Sequence, residues 1–298
     1  MVRPRTALAT ALSAVLAATA VSSAVAPAEA AKGAKGKKDR SVAVAWAPAD
    51  SASIHPGIQM YTDGAQCTGN FVFTDGAANV YVGYAAHCAG TGEATDTDGC
   101  EAGSLPLGTK VDFVEGGSLV TSGQTVGTGT LAYSSWLAMD QAGTTDADAC
   151  AYNDFALVKV DAPYVSQVNP SIPFWGGPVG IETDGTAAGE SVYSYGNSSL
   201  RAGVEALSPK QGLSLGTSGN GWTHPVYTMT PGVPGDSGSA FLDADGNALG
   251  TLSTLAIAPL AGSNGVGDLS RELAFAQATS GIAGLKLALG TEPFSPIL

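Results

Sequence analysis

From Ser41 onward the chain is a succession of short apolar runs broken by Gly, Asp, Asn, Ser and Thr. Runs of that length with turn residues between them suit strands and leave little room for helices. The stretches 70–73, 80–86, 110–114, 128–133, 155–160, 190–195, 226–229, 239–242 and 248–255 are the expected strands. Asp243-Ala244-Asp245-Gly246-Asn247 has the composition of a hairpin loop between the last two. Only 268–279 reads as a helix, with Leu269, Leu273 and Ala276 on one face. Many short strands and one helix predict a sandwich or barrel and exclude a parallel α/β sheet. The pattern breaks at 166–173, where Asn169-Pro170 and Ile172-Pro173 interrupt it.

The first 40 residues stand outside this pattern. Arg3 and Arg5 precede an uncharged stretch, 7–26, rich in Ala, Val and Leu, and Ala28-Glu29-Ala30 offers small residues where a signal peptidase reads. Residues 1–30 are therefore expected to be a signal peptide cleaved after Ala30, in preference to a membrane-spanning helix. Residues 31–40 carry Lys32, Lys35, Lys37, Lys38 and Arg40 among glycines, with nothing apolar to bury. They read as a flexible tail or as a short pro-segment cut after Arg40.

Composition removes other classes. The 298 residues are 44% hydrophobic and 13% charged, too apolar for intrinsic disorder. Past Arg40, six basic residues face 24 acidic ones, a net charge of −18. Such a surface does not fit a nucleic-acid polyanion, which needs clustered Lys and Arg. No glycine-rich dinucleotide or phosphate loop is present, so no organic cofactor is expected. Cys67, Cys88, Cys100 and Cys150 form no CxxC pair, and an even count in an exported chain predicts disulfides and no metal site. Cys67 and Cys88 flank two successive strands and are natural partners across a sheet, which leaves Cys100 for Cys150 by elimination.

Three segments carry chemistry. Tyr84-Ala85-Ala86-His87-Cys88 ends an apolar strand, Asn153-Asp154-Phe155-Ala156-Leu157-Val158 opens another, and Pro234-Gly235-Asp236-Ser237-Gly238-Ser239 precedes a third. A serine hydroxyl becomes a good nucleophile when a base takes its proton, and an imidazole suits that task at neutral pH. A buried carboxylate fixes the imidazole tautomer and stabilises its cation. Glycines beside the serine let backbone N–H groups reach an oxyanion. Each residue alone has a plainer reading: a solvated strand-start acid, a turn serine, a hydrogen-bonded core histidine. Their order and spacing together favour the catalytic one.

Together these segments resemble the chymotrypsin-like (trypsin-like) serine peptidases, particularly secreted bacterial members, over roughly residues 66–255. The resemblance implies two antiparallel six-stranded β-barrels, 41–168 carrying the histidine and aspartate and 169–298 carrying the serine and a C-terminal helix. It implies His87 as base, Asp154 as orienting acid, Ser237 as nucleophile, and the N–H groups of Gly235 and Ser237 as the oxyanion hole. Cys67–Cys88 matches the disulfide that anchors the family's histidine loop. His55 and His224 match no catalytic position and are expected to be structural or surface residues.

The chain also departs from the family pattern. The acid that holds Lys or Arg six residues before the serine is Pro231, and the cysteine four before it is Val233. Thr251-Leu252-Ser253-Thr254-Leu255 resembles the strand that lines the substrate backbone, so Pro231, Ser253 and Leu255 are the expected substrate-binding residues. Leu255 stands where glycine usually opens the pocket, which implies small apolar side chains or a blocked pocket. The acidic folded part argues against the glutamate specificity that the sequence Gly235-Asp236-Ser237-Gly238-Ser239 has in some relatives. Ser41-Val42-Ala43-Val44 is unlike the amino terminus that pairs with the acid beside the nucleophile in animal members, and Arg201 is the candidate partner for Asp236. The expectation is a secreted, extracellular, monomeric serine endopeptidase acting on polypeptides, with no nucleic-acid partner and no membrane once the leader is removed. Its activity optimum is expected at neutral to alkaline pH. Two other readings stay open: a peptidase-like binding protein with a closed pocket, and an esterase using the same nucleophile.

Overall fold

The computed structural model describes residues 44–92, 97–255 and 262–296. The expected signal peptide and basic tail lie outside the described residues.

The chain is all-β and antiparallel, with two sheets in sequence. The first contains β1 (Gln59–Thr62), β2 (Ala65–Thr68), β3 (Val72–Thr74), β4 (Val80–Tyr84), β5 (Lys110–Glu115), β6 (Gln124–Ser134) and β7 (Ala156–Val160). Its ladder order is β14-β3-β4-β7-β6-β5-β1-β2, where β14 is Lys286–Leu287 from the C-terminal end of the chain. The two ends of this order meet. β2 and β3 are halves of one bent stretch, and the residues between them bond on both sides: Gly69 N donates to Ile58 O at 2.9 Å and Asn70 N to Gly83 O at 2.8 Å. Counting β2 and β3 as one strand and setting the added edge β14 aside, the first sheet is a six-stranded barrel closed on itself. The second sheet is a closed barrel of order β10-β13-β12-β11-β8-β9. Its strands are β8 (Ala188–Tyr195), β9 (Pro209–Leu215), β10 (Thr223–Thr228), β11 (Ala240–Leu242), β12 (Ala248–Leu255) and β13 (Asn264–Asp268). Helices α1 (Ser135–Ala142) and α2 (Ala147–Tyr152) follow β6, and α3 (Leu269–Thr279) follows β13.

Period-two alternation explains how the barrels come together. In β4, Val80, Val82 and Tyr84 point into the first barrel, while Tyr81 faces the other way. In β7, Ala156, Val158 and Val160 point inward, while Leu157 and the preceding Phe155 face outward. The outward set packs with Tyr193, Ala240 and Leu242 of the second barrel and with Leu269 and Leu273 of α3. Phe73 and Phe155 meet edge to face at 5.4 Å in this junction. Strands buried on both faces read as continuous apolar runs, and β4 and β7 are the two strands that lead into His87 and out of Asp154.

Several strands and helices had no clear signal. β9 (PKQGLSL) and β13 (NGVGD) are interrupted by Pro, Gly, Ser and Asn and hold no apolar run, and β1, β2, β14, α1 and α2 were also absent from the expectation. Glycine in these strands answers to crowding: a Cβ on Gly212 of β9 would lie 2.1 Å from Tyr227 O, and one on Gly267 of β13 would lie 2.2 Å from Glu272 Oε1. Both disulfides are formed, Cys67–Cys88 with Cα atoms 6.1 Å apart and Cys100–Cys150 with Cα atoms 5.1 Å apart. Among the described residues no helix is long and apolar enough to cross a membrane.

Candidate active site

His87 sits on a single 3₁₀ turn, Ala86–Ala89, directly after β4. Ala85 and Ala86 are fully buried and Cys88 is tied to Cys67, so the turn cannot swing away from the barrel. Asp154 emerges between α2 and β7 at the facing end of the paired strand. The register Tyr84↔Ala156 brings the two segments side by side. The outcome is a two-point contact: the His87 N–H donates to Asp154 Oδ1 at 2.8 Å, and His87 Nδ1 lies 2.6 Å from Oδ2. With a carboxylate as acceptor the ring proton belongs on Nδ1, which leaves Nε2 as the basic nitrogen.

Ser253, on β12 of the second barrel, donates its hydroxyl to Asp154 Oδ2 at 2.6 Å. The side chain of this expected substrate-binding residue is thus turned to the acid. Burial resists the charge on Asp154, but the His87 charge, the hydrogen bonds from His87 and the one from Ser253 outweigh it and hold the carboxyl below its ordinary range. For His87 burial likewise opposes charge, and the Asp154 charge and hydrogen bond raise the ring above the ordinary histidine value. The His87 side chain keeps 20% of its surface exposed, against 4% for Asp154.

Ser237 lies on the turn before β11. Gly235 and Gly238 flank it with φ of +93° and +88°, which a side chain would strain, and neither site has room for one. A Cβ on Gly238 would lie 2.5 Å from Thr68 O and 2.9 Å from Ala85 N, so the serine turn rests directly on the strand end that carries the histidine. Thr68 N also donates to Ser237 O at 2.8 Å, and Thr68 Oγ1 to Gly235 O at 2.7 Å. Among the described residues neither the Gly235 nor the Ser237 N–H donates to a protein acceptor.

Asp236 anchors this turn from beneath. It is fully buried and accepts from Arg201 Nη2 at 2.6 Å, Lys210 Nζ at 3.0 Å, Ser198 N at 3.0 Å and Val233 N at 3.1 Å. Burial resists its charge, yet Lys210 and then Arg201 overcome that and lower its pKa. Arg201 is thus a partner of Asp236, as expected. Lys210 was not foreseen: it is fully buried within a stretch with no strand signal, where nothing in the sequence points it at Asp236.

The other expected substrate-binding residues lie on the loop before the serine turn and at the end of β12. The Pro231 carbonyl is taken by Arg201 Nη2 at 2.9 Å. Leu255 is 49% exposed at the end of β12. Asn264 on β13, missed in the sequence, spans these two segments: its Oδ1 accepts from Gly232 N at 2.8 Å and its Nδ2 donates to Thr254 O at 3.2 Å. His224 pairs with Asp268 at 2.9 Å inside the second barrel, and His55 lies part-buried with Nδ1 2.7 Å from Pro56 O. Two groups of potential metal-ligand atoms occur among the described residues, one around Cys67 and Cys88 with His87, the other around Cys100 and Cys150 with Asp98. Their sulfurs are bonded to each other and offer no thiolate.

No protein-family model and no curated protein matches the chain. Solved structures do. The chain is similar to Thermobifida fusca protease A at 17% identity and a TM-score of 0.47, covering 80% of this chain and 99% of that one. It is similar to a Nocardiopsis protease at 16% identity and a TM-score of 0.44, covering 78% of this chain and 98% of that one. With Cellulomonas bogoriensis chymotrypsin the identity is 17% and the TM-score 0.43, over 79% of this chain and 98% of that one. The structures this chain is similar to, at low identity, are thus bacterial serine proteases of the chymotrypsin-like kind.

Proposed function

We propose that the protein is a secreted serine endopeptidase with Ser237 as nucleophile, His87 as general base and acid, and Asp154 as the orienting carboxylate. The observation that carries this reading is the buried Asp154, which holds His87 through Nδ1 and the backbone N–H and is held in turn by Ser253 of the other barrel. In this reading His87 Nε2 accepts the Ser237 Oγ proton as the hydroxyl oxygen attacks the scissile carbonyl carbon. The Gly235 and Ser237 N–H groups stabilise the oxyanion. Collapse breaks the C–N bond, and His87 returns the proton to the leaving amine. Water then resolves the acyl-enzyme by the same route. The two disulfides support an oxidising compartment, and the surface charge supports a soluble, extracellular protein. The signal peptide (1–30), the tail or pro-segment (31–40) and the barrel bounds 41–168 and 169–298 belong to the same proposal.

The Asn264 bridge favours substrates with a small side chain on the acyl side of the cut bond. It also favours a second reading, a binding protein whose nucleophile is intact but whose pocket admits no side chain. A broad peptide-library cleavage profile, run beside Ser237→Ala, tests both. Cleavage abolished in Ser237→Ala, with small residues before the cut, is expected. Fluorophosphonate labelling of Ser237 with no peptide turned over would select the second reading, and preferential hydrolysis of short acyl esters would select an esterase.

A further inference from the structure

Beneath the catalytic pair runs a chain of fully buried polar side chains that the mechanism above does not use. Asn70, on the bent strand of the first barrel, donates Nδ2 to Thr251 Oγ1 at 3.1 Å. Thr251, on β12, donates its hydroxyl to Glu272 Oε2 on α3 at 2.7 Å. All three residues are 0% exposed. The direction of the chain is fixed chemically. Asn70 Oδ1 accepts from Phe71 N at 2.6 Å, so the amide nitrogen faces Thr251. The threonine oxygen therefore accepts from Asn70, and its proton goes to Glu272 Oε2. Oε1 is left as the atom that can carry a proton of its own, and among the described residues it has no hydrogen-bond partner.

The space for that carboxyl is made by a glycine. A Cβ on Gly267 would lie 2.2 Å from Glu272 Oε1 and 3.1 Å from the Tyr152 carbonyl oxygen, so the acid occupies the room a side chain would need and meets the segment that ends in Asp154. No cation pairs with Glu272 among the described residues. The titratable groups facing it are Asp154 from the first barrel, Asp268 at the start of α3 and the phenol of Tyr133 on β6. Its helix neighbour Arg271 lies over the Trp222 ring instead. A buried carboxylate beside two other acids and without a cation is far less favourable than the neutral acid. Burial, with Asp154 and Asp268 adding to it, accordingly raises Glu272 well above the ordinary glutamate value.

We propose that Asn70, Thr251 and a protonated Glu272 form a positioning relay that holds the two barrels in register under the catalytic pair. The link to the site is short. Thr251 precedes by two residues the Ser253 that bonds Asp154, and Asn70 follows by two the Thr68 that holds Ser237 O and Gly235 O. The relay thus ties the strand behind the acid to the strand under the nucleophile. This rests on the proposed catalytic roles for its kinetic consequence, but the protonation of Glu272 does not.

The test has two arms. Glu272→Gln keeps a neutral group of the same shape. Unfolding of the wild type releases the Glu272 proton once the pH exceeds the unfolded value of about 4.3, so the wild type loses stability relative to the variant as pH rises. The melting temperature of Glu272→Gln minus that of the wild type should increase from pH 5 to pH 8. A difference that is flat or falls with pH overturns the neutral acid, whatever the protein catalyses. In the second arm Thr251→Val removes both hydrogen bonds at nearly constant volume. Measured on folded protein, kcat should fall about 10- to 100-fold with KM within threefold, and Thr251→Ser should restore it. Full kcat in Thr251→Val overturns the relay. If the wild type shows no Ser237-dependent turnover, the catalytic reading has failed, and the first arm still decides the charge of Glu272.

Discussion

His87 and Asp154 meet at 2.6 Å beside the junction of the barrels; His224 and Asp268 meet at 2.9 Å within the second barrel. The chemical groups are the same, and their surroundings are opposite. His87 retains 20% exposure, and Ala85, two residues before it, rests against the serine turn. His224 is 0% exposed, and its second ring nitrogen is shared with the Thr217 hydroxyl at 3.1 Å and the Thr186 hydroxyl at 3.4 Å. Asp268 is occupied as well: it caps α3 through Arg271 N at 2.9 Å and accepts from Ser270 Oγ at 2.6 Å. A histidine with both nitrogens engaged and no path to solvent has nothing to offer a substrate. The comparison shows that pairing with a carboxylate does not by itself make a histidine catalytic; the role proposed for His87 rests also on its exposure and on the serine turn packed against the end of its strand.

The sharpest way to break the comparison is to remove each histidine in turn. His87→Ala and Ser237→Ala should each lower kcat/KM by about 10⁴-fold or more, with melting temperature nearly unchanged. His224→Ala should do the reverse, costing about 2–4 kcal/mol of stability through a cavity and an under-satisfied Asp268 while kcat/KM of the folded fraction stays within a few-fold. Equal loss of turnover in His224→Ala would erase the distinction.

Asp236 extends the comparison to an acid with two cations and no histidine. Asp236→Asn leaves Arg201 and Lys210 facing each other with no carboxylate between them. It should destabilise the protein by about 3–5 kcal/mol, read from denaturant unfolding, and should loosen the serine turn. Ser253→Ala removes one of the three hydrogen bonds on Asp154. A loss of about 10-fold in kcat/KM, equivalent to about 1.4 kcal/mol, is expected, with KM little changed. The smallest effect is in pH. Because His87 is raised, its base form appears only above the ordinary value, so the acidic limb of kcat/KM should lie above pH about 6.5. Asp154, Asp236 and Asp268 are all lowered, so their stabilising contribution is complete above about pH 3.9 and is lost as pH falls through their folded values.

The same contrast explains what the sequence could reveal. β4 and β7 lie against the barrel core on one face and the barrel junction on the other, so their apolar residues run without interruption and their ends could be located. The segments that carry His87 and Asp154 were therefore legible, as was the glycine-flanked Ser237, whose positive-φ neighbours leave a local signature. Arg201 could be nominated only through the family resemblance. Lys210, Asn264 and Glu272 left no trace. Each acts through a contact across the barrels or between distant strands, and β9 and β13, which carry the first two, are built largely of glycine, proline and polar residues that only the closed barrel forces into strands. The double duty of residues 65–74, paired on one side with β1 and on the other with β4, is likewise a property of closure and not of local pattern.

The most direct measurement is the reaction of the purified mature protein with a small fluorophosphonate, located by mass spectrometry of the peptides. The account predicts one modified residue, Ser237, with a rate that rises with pH as His87 loses its proton and that collapses in His87→Ala but persists in His224→Ala. No modification of Ser237 at any pH, or a rate indifferent to His87, would contradict it.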